Sequence, residues 1–121
     1  MAQKILIIED SMYMSTLLSD ALTAAGYEVV GQAANGEAGI DMALELEPDL
    51  ITLDNILPDM IGLDILKVIK EEEHLKSKVI MISAVGQESV VQQGLALGAE
   101  DYILKPFTSD QVITAVQKAF A

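Results

Sequence analysis

No cysteine occurs anywhere in the sequence. Its absence excludes disulfides, thiol catalysis and thiolate metal sites together, and it suits a reducing cytoplasm. Arginine is missing as well, since all seven basic residues are lysines. Arginine is the main bidentate reader of phosphate and guanine, so no nucleic-acid partner is expected. No apolar run approaches the ~18 residues of a membrane span. Met1-Ala2-Gln3-Lys4 leads straight into a strand pattern without a secretory leader, so neither a membrane nor export is expected. The one histidine, His74, closes the run Glu71-Glu72-Glu73-His74 and reads as a surface residue at a charged helix end, not as a phosphodonor.

What the chain has in quantity is acid and hydrocarbon. The net charge is −12, and 51% of residues are hydrophobic. Most of the nineteen acids crowd between Glu37 and Glu73, whereas Gly86 to Ala121 sets four acids against two lysines. That C-terminal third repels itself least and is the part best suited to meet a partner. A chain of 121 residues matches a single domain, 1–121, able to bury roughly two thirds of its unfolded surface.

Strand and helix patterns alternate along the whole length. Lys4–Ile8 reads as a strand. Met14, Leu17, Leu18, Ala21, Leu22 and Ala25 then recur on one face of a 3.6-residue period, and Gly26 supplies a left-handed cap. Glu28–Ala33 is a second strand. Asn35 caps a helix carrying Ile40, Ala43 and Leu44, which Pro48 stops. Leu50–Asp54 is a third strand, followed past Pro58 and Gly62 by a helix with Leu63, Leu66 and Ile69. Val79–Ser83 is apolar enough for a strand covered on both faces. Gln87–Leu97 forms a weaker helix interrupted by Gly94, and Asp101–Leu104 a fifth strand. Thr108-Ser109-Asp110-Gln111 fits a capping box that opens a last helix with Val112, Ala115, Val116, Ala119 and Phe120 inward. The six methionines read as core filler.

Four of the five strands run into a residue with chemistry. Glu9 and Asp10 follow the first, Asp54 ends the third, Ser83 ends the fourth, and Lys105-Pro106 follows the fifth. In an open parallel sheet such ends lie side by side at the edge where α/β proteins place their chemistry. Taken alone, Glu9-Asp10 is equally a solvated rim, Lys105 a surface lysine, Ser83 a serine satisfied by backbone and Tyr102 an edge-strand tyrosine with a wet hydroxyl. Taken together, they form three carboxylates, a hydroxyl and an ammonium at one place. Carboxylates so close raise one another's pKa, and a hard divalent cation such as Mg²⁺ resolves the conflict.

Ile7-Ile8-Glu9-Asp10-Ser11, Leu53-Asp54-Asn55-Ile56-Leu57-Pro58 with Gly62, Ile82-Ser83-Ala84, and Gly98-Ala99-Glu100-Asp101-Tyr102-Ile103-Leu104-Lys105-Pro106-Phe107 together resemble the receiver domains of two-component signalling. The stand-alone length and Ser83-Ala84-Val85-Gly86-Gln87 are similar to the chemotaxis response regulators among them. Departures are Glu9 where aspartate is also frequent, Leu57 for methionine, Ser83 for threonine and Ser15 for arginine, and none removes a needed functional group. The resemblance implies a flavodoxin-like, doubly wound (βα)5 α/β fold with strand order 2-1-3-4-5 and helices on both faces.

It further implies Mg²⁺ held by Asp10, Asp54 and the Ile56 backbone carbonyl, with Glu9 joining directly or through water. Asp54 would be the nucleophile that accepts a phosphoryl group, and Mg²⁺ and Lys105 would neutralise its charge. Lys105-Pro106 would be a cis bond. Ser83 would donate to a phosphoryl oxygen, and Tyr102 would be the switch aromatic, packing inward behind Ser83. Ile56 and Val85, which in the family influence the attacking water, are both apolar here. The implied protein is a phosphoacceptor rather than an enzyme, a cytoplasmic monomer. A histidine kinase or phosphotransfer domain would act upstream, a separate phosphatase would end the signal, and the flagellar motor switch would receive it. A phosphorelay shuttle or a phosphorylation-independent scaffold is the alternative. A haloacid-dehalogenase-type phosphatase would need Asp-x-Asp after the first strand. A flavodoxin-type carrier would need a Ser/Thr/Gly-rich loop where Glu9-Asp10 would repel a phosphate.

Overall fold

The computed structural model describes residues 2–121. Five strands, β1 (Lys4–Ile8), β2 (Glu28–Ala33), β3 (Leu50–Leu53), β4 (Lys78–Ser83) and β5 (Asp101–Leu104), form one parallel sheet in the order β2-β1-β3-β4-β5. The helices are α1 (Met12–Ala24), α2 (Gly36–Leu46), α3 (Gly62–Lys67), which runs on into a π-turn over Val68–Glu72, α4 (Glu88–Ala96) and α5 (Ser109–Phe120). No helix among the described residues is long and apolar enough to cross a membrane.

Alternation along the strands divides the interior into two cores. Ile5, Ile7, Leu50, Ile80, Ile82 and Ile103 face α1 and α5, where they meet Leu18, Leu22, Val112 and Val116. Leu6, Ile8, Ile51, Leu53, Val79 and Met81 face the other way, onto Ala43, Ile65, Leu66 and Ile69. Register brings the strand ends level, with Ile8 opposite Leu53, Leu53 opposite Met81, and Ser83 opposite Leu104.

Several local expectations hold. Gly26 takes φ +96°, Asn35 accepts the Ala38 N–H, and Thr108 and Gln111 close a full capping box. Gly94 is buried in α4 with the Tyr102 ring beside it, yet a Cβ there would make only ordinary contacts, so the space does not explain the glycine.

Two helix faces and the methionines need correction. In α1 the buried residues are Ser15, Leu18 and Leu22, while Leu17 is 40% exposed and Ala25 lies outside. In α2 the buried stripe is Gly36, Gly39 and Ala43, and Leu44 is turned out. A Cβ at Gly39 would come within 2.7 Å of Ile8, so the helix rests directly on β1 only because that atom is absent. Met81 is core, but Met12 is the most exposed large hydrophobic side chain described, and Met1 lies outside the described residues.

Candidate functional site

The four strand ends converge as their register requires. Beyond β1 the ladder continues one step, Glu9 donating its N–H to the Ala33 carbonyl at 2.9 Å. This draws the Glu9 side chain inward, where it is almost wholly buried, and leaves Asp10 exposed. Beyond β3, Asp54 donates its N–H to the Ile8 carbonyl at 3.0 Å, and its carboxylate is also buried. Glu9, Asp10 and Asp54 each present an oxygen within 4.8 Å of the others.

Lys105 completes the cluster. Its N–H donates to the Ser83 carbonyl, and the following bond to Pro106 is cis. Its ammonium donates to Glu9 Oε1 at 2.6 Å and to Asp54 Oδ2 at 3.3 Å. Glu9 Oε2 accepts the Ser11 N–H at 3.0 Å, and Ser11 Oγ in turn caps α1 by accepting the Met14 N–H. Both Glu9 oxygens are therefore engaged.

Burial raises the Glu9 pKa. The bonds from Lys105 and Ser11 oppose that rise, and the Asp54 charge adds to it. For Lys105, burial is the largest single influence and acts downward. The bond to Glu9, the Asp54 and Glu9 charges and the bond to Asp54 together outweigh it and hold the ammonium above its ordinary value. One cation is shared among acids that outnumber it, so negative charge is in local excess.

Ser83 and Tyr102 lie behind this cluster. Ser83 is fully buried, and its Oγ accepts the Val85 N–H at 3.2 Å rather than reaching Asp54. The Tyr102 hydroxyl donates to the Val85 carbonyl at 2.6 Å, and the ring packs against the Met81 side of the core. The ring thus lies inward, behind Ser83. Burial raises the phenol pKa, with contact to the Ser83 hydroxyl opposing and the Asp54 charge adding. Ile56 is 54% exposed and Val85 half-buried.

The β3–α3 loop holds Asp54 in place through Asn55 and Gly62, both part of the motif that carries the resemblance, and through Asp59, which the sequence did not single out. Gly62 donates its N–H to the Asn55 carbonyl at 2.6 Å, and buried Asn55 Oδ1 accepts the Leu63 N–H. A Cβ at Gly62 would collide with the Asp54 carbonyl and lie 2.8 Å from the Asn55 Cα. Asp59, at the loop tip, takes two amides of α2. The only sequence cue was the Pro58-Asp59 turn pair.

A five-stranded parallel sheet in this order, with acids after β1 and β3 and a lysine after β5, defines a class of phosphoacceptor folds. The chain belongs to the response regulator receiver domain family, whose pattern matches residues 5–117. It is 39% identical to the chemotaxis protein CheY of Thermotoga maritima and 41% identical to that of Bacillus subtilis, over 98% of both chains in each case. Among solved structures it is similar to the CheX–CheY–BeF3–Mg²⁺ complex of Borrelia burgdorferi, with TM-score 0.94 and 32% identity over 98% of this chain and 90% of that one.

Proposed function

We propose that the chain is a phosphorylation-controlled binding module that accepts a phosphoryl group on Asp54. The observation that carries this reading is the placement of the Asp54 carboxylate, buried between the Lys105 ammonium and the Glu9–Asp10 pair. An Asp54 oxygen would attack phosphorus, the phosphorus–nitrogen bond of a donor phosphohistidine would break, and the departing imidazole nitrogen would take up a proton. The donor would be a histidine kinase or a phosphotransfer domain.

The donor set around Asp54 fits Mg²⁺, for it consists of hard oxygens and carries excess negative charge. Asp10, Asp54 and the Ile56 carbonyl would hold the ion, and Glu9, with both oxygens engaged, would reach it through water. The ion would supply charge neutralisation on the phosphoryl oxygens. Lys105 would move from Asp54 toward the same oxygens, and the Ser83 hydroxyl would exchange the Val85 N–H for one of them.

The output would be a change at the surface of α4, β5 and α5. A cleft there of about 670 Å³ is lined by Tyr102, Leu104, Gln111 and Lys118 among others. Ser83 links the two places, since its hydroxyl borders both Val85 and Tyr102. With relatives named for chemotaxis, the partner proposed is the flagellar motor switch, met in the cytoplasm. Because Ile56 and Val85 offer an attacking water no hydrogen bond from their side chains, a separate phosphatase is proposed to end the signal.

The test is to incubate the chain with a small phosphodonor and Mg²⁺ and to locate the modification by mass spectrometry. Label is expected on Asp54 alone. Undiminished labelling of an Asp54→Asn chain would sink the reading.

A further inference from the structure

The tip of the β3–α3 loop is fastened to the first turn of α2. Asp59 Oδ1 accepts the Gly36 N–H at 2.7 Å, and Oδ2 accepts the Glu37 N–H at 3.0 Å. The next amide, Ala38, goes to Asn35 Oδ1 at 2.8 Å. The opening amides of a helix have no partner within their own turn. Here two of them find one on a loop more than twenty residues further along the chain. Packing reinforces the bond, because a Cβ at Gly36 would lie 2.7 Å from Met60 Sδ, so the glycine allows the loop to come close.

The base of the same loop is closed by the Asn55–Gly62 and Asn55–Leu63 bonds, and Leu57 donates its N–H to the Met60 carbonyl at 3.2 Å. Ile56 stands between these two anchors and pairs with Ile61 across the loop. The ring also closes on the other side. α2 follows β2, whose last carbonyl, Ala33, holds the Glu9 N–H. Asp10, Asn35, Glu37, Pro58 and Asp59 border one cleft. The first turn of α2 is thus bonded to the loop after β3 and shares a cleft with Asp10 after β1.

We propose that Asp59 is a positioning residue for the metal site, setting where the Ile56 carbonyl stands relative to Asp10 and Asp54. The proposal rests on the Mg²⁺ reading given above. Asp59 is exposed, so water and salt screen its own charge at the site, and its action is through the loop. Glu37 carries the same charge on the same cleft but fastens nothing, so it serves as the charge control. Asn35 caps the same helix from within and serves as the stability control.

The experiment titrates Mg²⁺ by calorimetry into the intact chain and into Asp59→Ala, Asp59→Asn, Glu37→Gln and Asn35→Ala chains. Loss of an outer support of this kind weakens metal binding about tenfold, so Asp59→Ala should bind about tenfold more weakly while the two controls stay within about twofold. Asp59→Asn, which keeps one acceptor oxygen, should fall between and remains informative if the alanine chain does not fold. In metal-free protein, hydrogen exchange at the Leu57 and Gly62 amides should quicken for the Asp59 variants and not for Glu37→Gln. If the wild-type chain binds Mg²⁺ and both Asp59 variants match Glu37→Gln in affinity and exchange, the role of Asp59 is overturned. If the wild-type chain binds no Mg²⁺, the metal reading itself falls, and the proposal for Asp59 falls with it.

Discussion

Lys105 sits nearer to Glu9, at 2.6 Å, than to Asp54, at 3.3 Å. The extra methylene of a glutamate at position 9 lets its carboxylate reach the ammonium while its other oxygen stays on the Ser11 N–H. Asp54 is left as the more loosely paired of the two buried acids. A carboxylate that is to form a new bond is better placed that way than locked in a short ion pair.

Replacing Lys105 by methionine should destabilise the metal-free fold. Removing one partner of a buried pair costs about 3–5 kcal/mol, and since Lys105 is partly exposed the expected loss is nearer ~2 kcal/mol. Mg²⁺ should then restore more stability to Lys105→Met than it adds to the wild type, because it takes over the neutralisation of Glu9 and Asp54. Urea melts with and without Mg²⁺ measure both quantities. Equal Mg²⁺ increments in the two proteins would mean that the lysine does not offset these carboxylates.

The phosphorylated form should be long-lived. Hydrolysis needs a water in line with the Asp54–phosphorus bond, and Ile56 and Val85 offer that water no orienting side-chain bond. Introducing polar groups with Ile56→Asn and Val85→Glu should speed decay about tenfold, the effect of ~1.4 kcal/mol in the barrier. The rate of phosphorylation should change little, since Lys105 and the acids are untouched. A double variant that decays at the wild-type rate would remove the apolar flank as the cause.

Tyr102→Phe should cost about 1 kcal/mol, the net worth of one hydrogen bond, through loss of the Tyr102–Val85 contact. The pH dependence has a definite sign. The folded-state pKa of the phenol is raised above its ordinary 10.0, so between those two values the folded chain keeps a proton that the unfolded chain has released. Stability from this group is full below pH 10.0 and is lost as pH rises through the folded-state value. The wild type should therefore lose its advantage over Tyr102→Phe in alkaline denaturation curves. Parallel curves for the two proteins would show that the hydroxyl makes no net contribution.

The fold and the convergence of four strand ends were legible because their signals are local. A β-branched run followed at once by Glu9, Asp54, Ser83 or Lys105 announces both the strand and the edge it reaches. The inward faces of α1 and α2 were less legible because their apolar residues spread over more than one stripe. In α2, Gly39 settles the matter by being small where the helix approaches β1, a requirement set by the partner surface and not by hydrophobicity. Asp59 left almost no trace, since its partners are backbone amides of a distant helix and such bonds have no residue signature. The inward setting of Tyr102 was implied by the resemblance alone. Its hydroxyl is satisfied by a main-chain carbonyl that the sequence does not place.

The ion pair between Lys105 and Glu9 spans 96 positions of chain, and two further strands, β3 and β4, lie between the strands that carry its partners. It can close only after β1, β3, β4 and β5 have taken their places, since a one-residue slip of any of them turns the side chains at its end to the opposite face. The domain therefore inspects its own assembly. A nascent or half-melted copy lacks the assembled charge cluster, so a misfolded copy is left without the site rather than with a distorted one.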